Sequence, residues 1–111
     1  MINVEILKNV DGFVRKFIVN GHSDYAVYGS DIVCSAVSAL TQTAVMGLQD
    51  IAGISVNYSI EEGFLNCEIP IIHERDKLLK TNAILDTMIL GLTNIEKNYS
   101  SYIYIVIKEE V

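Results

Sequence analysis

The sequence predicts an α/β (α+β) domain in which a mixed or antiparallel sheet packs against two helices, in the order β-β-α-β-β-α-β. Three observations carry that expectation. Short segments with alternating apolar residues occur at both ends and in the middle of the chain. Two longer segments between them repeat apolar residues at helical spacing, and turn residues punctuate the joins. With 111 residues the chain can bury one core, so residues 1–111 are expected to form a single domain.

The first strand is expected over Ile2 to Lys8, with Ile2, Val4 and Ile6 on one side and Asn3, Glu5 and Leu7 on the other. "NVDG" follows, and Asp11-Gly12 is a hairpin dipeptide. Alternation resumes over Phe13 to Val19, placing Phe13, Arg15, Phe17 and Val19 opposite Val14, Lys16 and Ile18. From Ile32 the period changes to that of a helix: Val33, Val37, Leu40, Ala44, Leu48 and Ile51 form the stripe. Ser30 or Asp31 is a natural N-cap and Gly53 follows the end. The small residues Ser35, Ala36, Ser38, Ala39, Ala44 and Gly47 suit close packing of this helix. Ile54 to Ile60 and Phe64 to Ile69 read as a second hairpin around "EEG", ended by the single proline, Pro70. Asp76 to Asn98 is helical, with Leu78, Leu79, Ile84, Leu85, Met88, Ile89, Leu92 and Ile95 as its stripe, and Tyr102 to Lys108 is a β-prone final strand.

Composition excludes several classes. Half of the residues are hydrophobic and 20% are charged, which is not the make-up of a disordered chain. The net charge is −6, with only 8 Lys and Arg, so direct nucleic-acid binding is disfavoured and a basic partner or substrate suits the charge better. "MINVEILKNV" lacks a basic region followed by an apolar one, and no apolar run approaches the roughly 18 residues of a membrane span. A cytoplasmic protein with two free thiols is the resulting expectation.

The chemistry concentrates in "GHSDYAVYGSDIVC", which holds one of the two histidines and one of the two cysteines. If Asp31 is the N-cap, Cys34 lies in the first helical turn, where unpaired N–H groups and the positive end of the dipole favour a thiolate. Those N–H groups could also serve a developing oxyanion. A free cysteine is more often a small buried hydrophobe, but Cys34 sits about 100° around the helix from Val33, beside the buried stripe. His22 ends the second strand. It is either a solvated surface residue or, if the loop closes on itself, the general base for a Cys34 nucleophile. Asp31 is explained as a cap and could orient His22, while Ser38 shares the helix face of Cys34. Gly21 and Gly29 bracket the loop as flexible points. Cys67 is expected in the core and His73 in a charged turn. No pair among His22, Cys34, Cys67 and His73 has zinc-ligand spacing, so neither a metal nor another cofactor is expected.

"GHSDYAVYGSDIVCSAVSAL" resembles the ribosomal-processing cysteine protease family of bacteria, often called Prp, on Gly21, His22, Gly29, Asp31, Ile32, Val33, Cys34 and Ser38. Chain length, element order and the late "LGLTNIEKNYSSYIYI" also look like that family. The resemblance implies removal of an N-terminal extension from a large-subunit ribosomal protein, with Cys34 as nucleophile, His22 as base, and Asp31 and Ser38 in support. It further implies a mobile loop between the dyad members and a homodimer. Ser23 and Ser35 depart from the pattern, standing where alanine is common. Two other readings stand beside this one: a non-catalytic ribosome-assembly protein that docks on a basic ribosomal protein, and a thiol-redox or small-ligand protein.

Overall fold

A computed structural model of the chain describes residues 1–27 and 30–109. The elements are β1 (Ile2–Lys8), β2 (Val14–Asn20), α1 (Ile32–Asp50), β3 (Asn57–Glu61), β4 (Phe64–Glu68), α2 (Arg75–Asn98) and β5 (Ile103–Glu109). The strands form one sheet in the order β3-β4-β2-β1-β5, antiparallel except for the parallel pair β1 and β5. The sheet is therefore mixed, and the element order matches the sequence expectation.

Period two sorts β1 cleanly: Ile2, Val4 and Ile6 are buried and the residues between them are not. Across the sheet, Ile6 pairs with Phe17 and Phe17 with Cys67, and all three are completely buried. Loss of a ring such as that of Phe17 costs about 3–5 kcal/mol, so this row anchors the core. The helices close over it through Val33, Val37, Val45 and Leu48 of α1 and Leu85, Met88 and Leu92 of α2. They approach closely because Gly91 lies under Leu40 and Gly47 under Ile84; a Cβ on Gly91 would stand 2.7 Å from a Leu40 methyl.

Four local expectations are corrected. Lys8 pairs with Val14 while Leu7 pairs with Lys16, so Arg15 is an extra residue in a β-bulge. The bulge turns Val14 into the core with Phe17 and Val19 and leaves Phe13 exposed. Ile54 does not begin a strand: Gly53, at φ +71°, turns the chain so that the Ile54 N–H reaches the Leu48 carbonyl at 3.1 Å. Ile51 and Leu79, placed on apolar stripes by periodicity, are both exposed, because α1 has ended at Asp50 and Leu79 lies off the buried face of α2. Finally, α1 is long and apolar enough to cross a bilayer by length and composition. Its buried stripe nonetheless forms this domain's core.

The outer edge of β5 is occupied in part by α2, since Glu96 Oε2 accepts the Ile105 N–H at 2.6 Å. An edge donor so occupied cannot template another strand. The chemistry is positioned at the C-terminal end of the central strand: β2 ends at Asn20, beside the β3–β4 turn and the start of α1.

Candidate active site

Asp31 is the N-cap of α1, and its two carboxylate oxygens do different work. Oδ1 accepts the Val33 and Cys34 N–H groups, each at 3.0 Å, in the ordinary capping geometry. Oδ2 faces the preceding loop and accepts the Ser23 hydroxyl, the Tyr25 N–H at 3.1 Å and the Ala26 N–H at 3.4 Å. Burial pushes this carboxyl up, but the bonds from Ser23, Cys34, Ala26 and Tyr25 outweigh it and hold it at about 2, against an ordinary 3.8. One buried carboxylate thus ties the loop after β2 to the first turn of α1.

That tie decides where Cys34 lies. Its sulfur accepts the Ser23 N–H at 3.3 Å and stands 3.4 Å from the Ser23 hydroxyl. Ser23 is the residue after His22, so the cysteine is fixed to the neighbour of the histidine. His22 itself is exposed and its ring lies over Gly63, in the β3–β4 turn. Gly21, just before it, donates its N–H to the Gly63 carbonyl at 2.9 Å. Tyr25 extends the anchoring outward, edge-on to Tyr102 at 5.0 Å and to Tyr99 at 5.7 Å.

The result is a cavity of about 600 Å³ whose walls include Gly21, His22, Asp31, Cys34 and Ser38. Five of the six site residues expected from the sequence therefore meet in one place; Gly29 lies outside the described residues. The backbone at Gly21 admits no side chain, because its φ is +100° and a Cβ there would stand 2.5 Å from the Met1 carbonyl oxygen. Ser38 lines the wall one turn beyond Cys34. Cys67 is wholly buried in β4, where burial and the neighbouring Glu68 charge push its thiol up to about 12. It is an inert core cysteine and not a resolving thiol.

The helix start differs from the expectation of free oxyanion donors. The Val33 and Cys34 N–H groups are taken by Asp31 Oδ1, and that of Ser35 by the Asp31 carbonyl at 3.1 Å. A carboxylate cap and an oxyanion compete for the same donors, and here the cap occupies those of Val33 and Cys34.

In the sequence, Gly63 shows only as a turn residue. Its φ of +71° fits that role, but a Cβ there would also lie 2.7 Å from His22 Nε2 and 3.0 Å from Cε1. No local pattern could reveal this, because the contact joins two hairpins. Gly63→Ala is expected to displace the imidazole. Steady-state kinetics should show kcat falling at least tenfold with KM changed much less. Gly12→Ala is the control, since Gly12 has φ +84° with nothing within 4 Å of its Cβ position. Both variants carry the left-handed backbone cost of about 1–2 kcal/mol, and only the first should lose activity.

A family described as Cysteine protease Prp matches residues 1–104. The chain is 33% identical over 106 residues to a ribosomal processing cysteine protease Prp of Staphylococcus aureus, covering 93% of this chain and 95% of that protein. It is 30% identical over 101 residues to the protein of the same name from Bacillus subtilis, covering 89% and 90%. The crystal structure of an essential ribosomal processing protease Prp from S. aureus, in complex with a covalently linked product peptide, superposes with a TM-score of 0.87. It is 28% identical, with 97% of this chain and all of that one covered. A second S. aureus structure, in complex with a substrate peptide, gives a TM-score of 0.82 at 27% identity, with 97% and 100% covered. Match, strand order and the fixed cysteine agree: the chain belongs to the Prp family of ribosomal-processing cysteine proteases.

Proposed function

We propose that this protein is an endopeptidase that removes the N-terminal extension of a bacterial large-subunit ribosomal protein, with Cys34 as nucleophile and His22 as general acid and base. The observation that carries this reading is the bond from the Ser23 N–H to Cys34 Sγ, which fixes the sulfur beside the residue that follows His22, inside one cavity. His22 removes the thiol proton and the thiolate attacks the scissile carbonyl carbon. The tetrahedral intermediate collapses, His22 passes that proton to the leaving amine, and an acyl-thioester remains on Cys34. Water then attacks the thioester, again losing its proton to His22, and the carboxylate product departs.

Charge supports the substrate class. Asp24, Glu61 and Glu62 stand in the cavity wall, whose described residues include no Lys or Arg. Such a rim attracts basic segments, as ribosomal proteins carry. Relatives crystallised with a covalently linked product peptide and with a substrate peptide support a peptide occupant. The proposal extends to an enzyme of the cytoplasm, where ribosomal proteins are made, and to the homodimer that the family resemblance implies. The deciding experiment incubates the protein with a synthetic peptide spanning the ribosomal protein's extension and follows it by mass spectrometry. Two fragments are expected; an intact peptide beside an active relative's control digest would sink the reading.

A further inference from the structure

The hydroxyl of Ser23 is completely used. Asp31, a carboxylate down to about pH 2, can only accept, so the Ser23 O–H proton points at Asp31 Oδ2. The hydroxyl oxygen then has two lone pairs left. One takes the Tyr25 N–H at 3.3 Å, and the other faces Cys34 Sγ at 3.4 Å. Ser23 is only 2% exposed, so water does not exchange for these partners.

We infer that Ser23 is a positioning residue that holds the nucleophile in its resting S–H form, through a directed chain running from Cys34 S–H to the Ser23 hydroxyl to the Asp31 carboxylate. The inference rests on the reading of Cys34 as nucleophile. A lone pair aimed at the sulfur accepts an S–H and repels a thiolate. When the thiol proton leaves for His22, the Ser23 hydroxyl must either stay on Asp31, facing the thiolate unfavourably, or rotate and give up the stronger carboxylate acceptor. Both routes make the free thiolate harder to reach before substrate is bound. The Ser23 N–H, which donates to the same sulfur, holds it in place in either form.

Other titratable groups in the cavity wall are His22, Asp24, Asp31, Glu61 and Glu62, with the Met1 ammonium paired to Asp24 at 3.6 Å. Ser23→Ala adds or removes none of these groups, and among them only Asp31 loses a partner, the Ser23 hydroxyl. Alanine keeps the backbone N–H and removes only the hydroxyl.

The test is the rate of Cys34 alkylation by iodoacetamide against pH, for the wild-type protein and for Ser23→Ala, with thermal melting as a fold check. Buried Cys67 supplies an unreactive internal reference. Ser23→Ala should react roughly threefold to tenfold faster near neutral pH, the worth of one ordinary hydrogen bond, and its profile should move toward acid. An unchanged profile, or one displaced toward alkali, overturns the inference. Peptide cleavage is measured separately on both proteins. A shifted alkylation profile without wild-type cleavage would leave the chain from Cys34 to Asp31 standing and remove the protease reading. Wild-type cleavage with unshifted alkylation would do the reverse.

Discussion

Cys34→Ala is expected to abolish cleavage of the ribosomal-protein peptide, lowering kcat/KM by on the order of 10³-fold or more, while the protein stays folded. The two halves of that expectation have separate causes. Loss of a covalent nucleophile removes the acyl-enzyme route altogether, and the remaining site can only bind. The fold survives because Cys34 is half-buried beside the core, and its sulfur makes weak bonds of about 0.5–1.5 kcal/mol each. Melting temperature and peptide affinity together check the result: a variant that binds, melts normally and does not cleave is the expected outcome. Retained cleavage would instead favour a different nucleophile.

Asp31 carries the second large effect, and two substitutions separate its two jobs. Asp31→Ala removes the cap and the loop tie together. A lost N-cap costs about 0.5–2 kcal/mol, and the Oδ2 donors, the buried Ser23 among them, lose their partner as well. Against a total stability of about 5–15 kcal/mol for such a domain, that is a large fraction. Asp31→Asn keeps an oxygen for the Val33 and Cys34 N–H groups but aims an NH₂ at the three donors around Oδ2. Helix content should then persist while the loop that carries His22 and Ser23 loosens, and cleavage should fall at least as far as in Gly63→Ala.

The pH dependence of stability follows from the same carboxylate. Its folded value of about 2 lies below the ordinary 3.8, so the stabilisation is complete above about pH 5 and disappears as pH falls from about 4 toward 2. The size is about 2 kcal/mol. Urea unfolding at pH 6 and at pH 3 should show about half of that loss, about 1 kcal/mol, in the wild-type protein and a smaller one in Asp31→Asn.

Much of this fold was legible because its signals are local. β1 follows period two without interruption, and α1 begins where Asp31 caps it, with the Gly53 turn just past its end. What escaped was set by contacts between distant segments. The face of Val14 depends on a bulge created by pairing with β1, and the fate of Ile54 depends on a carbonyl of α1. The site divides the same way. "GHSDYAVYGSDIVC" displays His22, Asp31 and Cys34, but the seat of His22 on Gly63 joins residues from two hairpins. Ser23 is, by residue type, a small packing residue; only the fold places its N–H on the sulfur and its hydroxyl on Asp31. Asp31 itself is legible as a cap, whereas its second oxygen's hold on the loop is not, and local sequence alone leaves the helix N–H groups free for an oxyanion.

The most direct measurement of the central claim is the mass of the enzyme caught during turnover. The wild-type protein, mixed with the ribosomal-protein peptide, is quenched in acid, digested and analysed fragment by fragment. The N-terminal part of the substrate should be found as an acyl adduct on the fragment that contains Cys34, with the Cys67 fragment unmodified. An adduct confined to another residue, or an unmodified Cys34 fragment throughout a reaction whose acylation is faster than deacylation, would contradict the account.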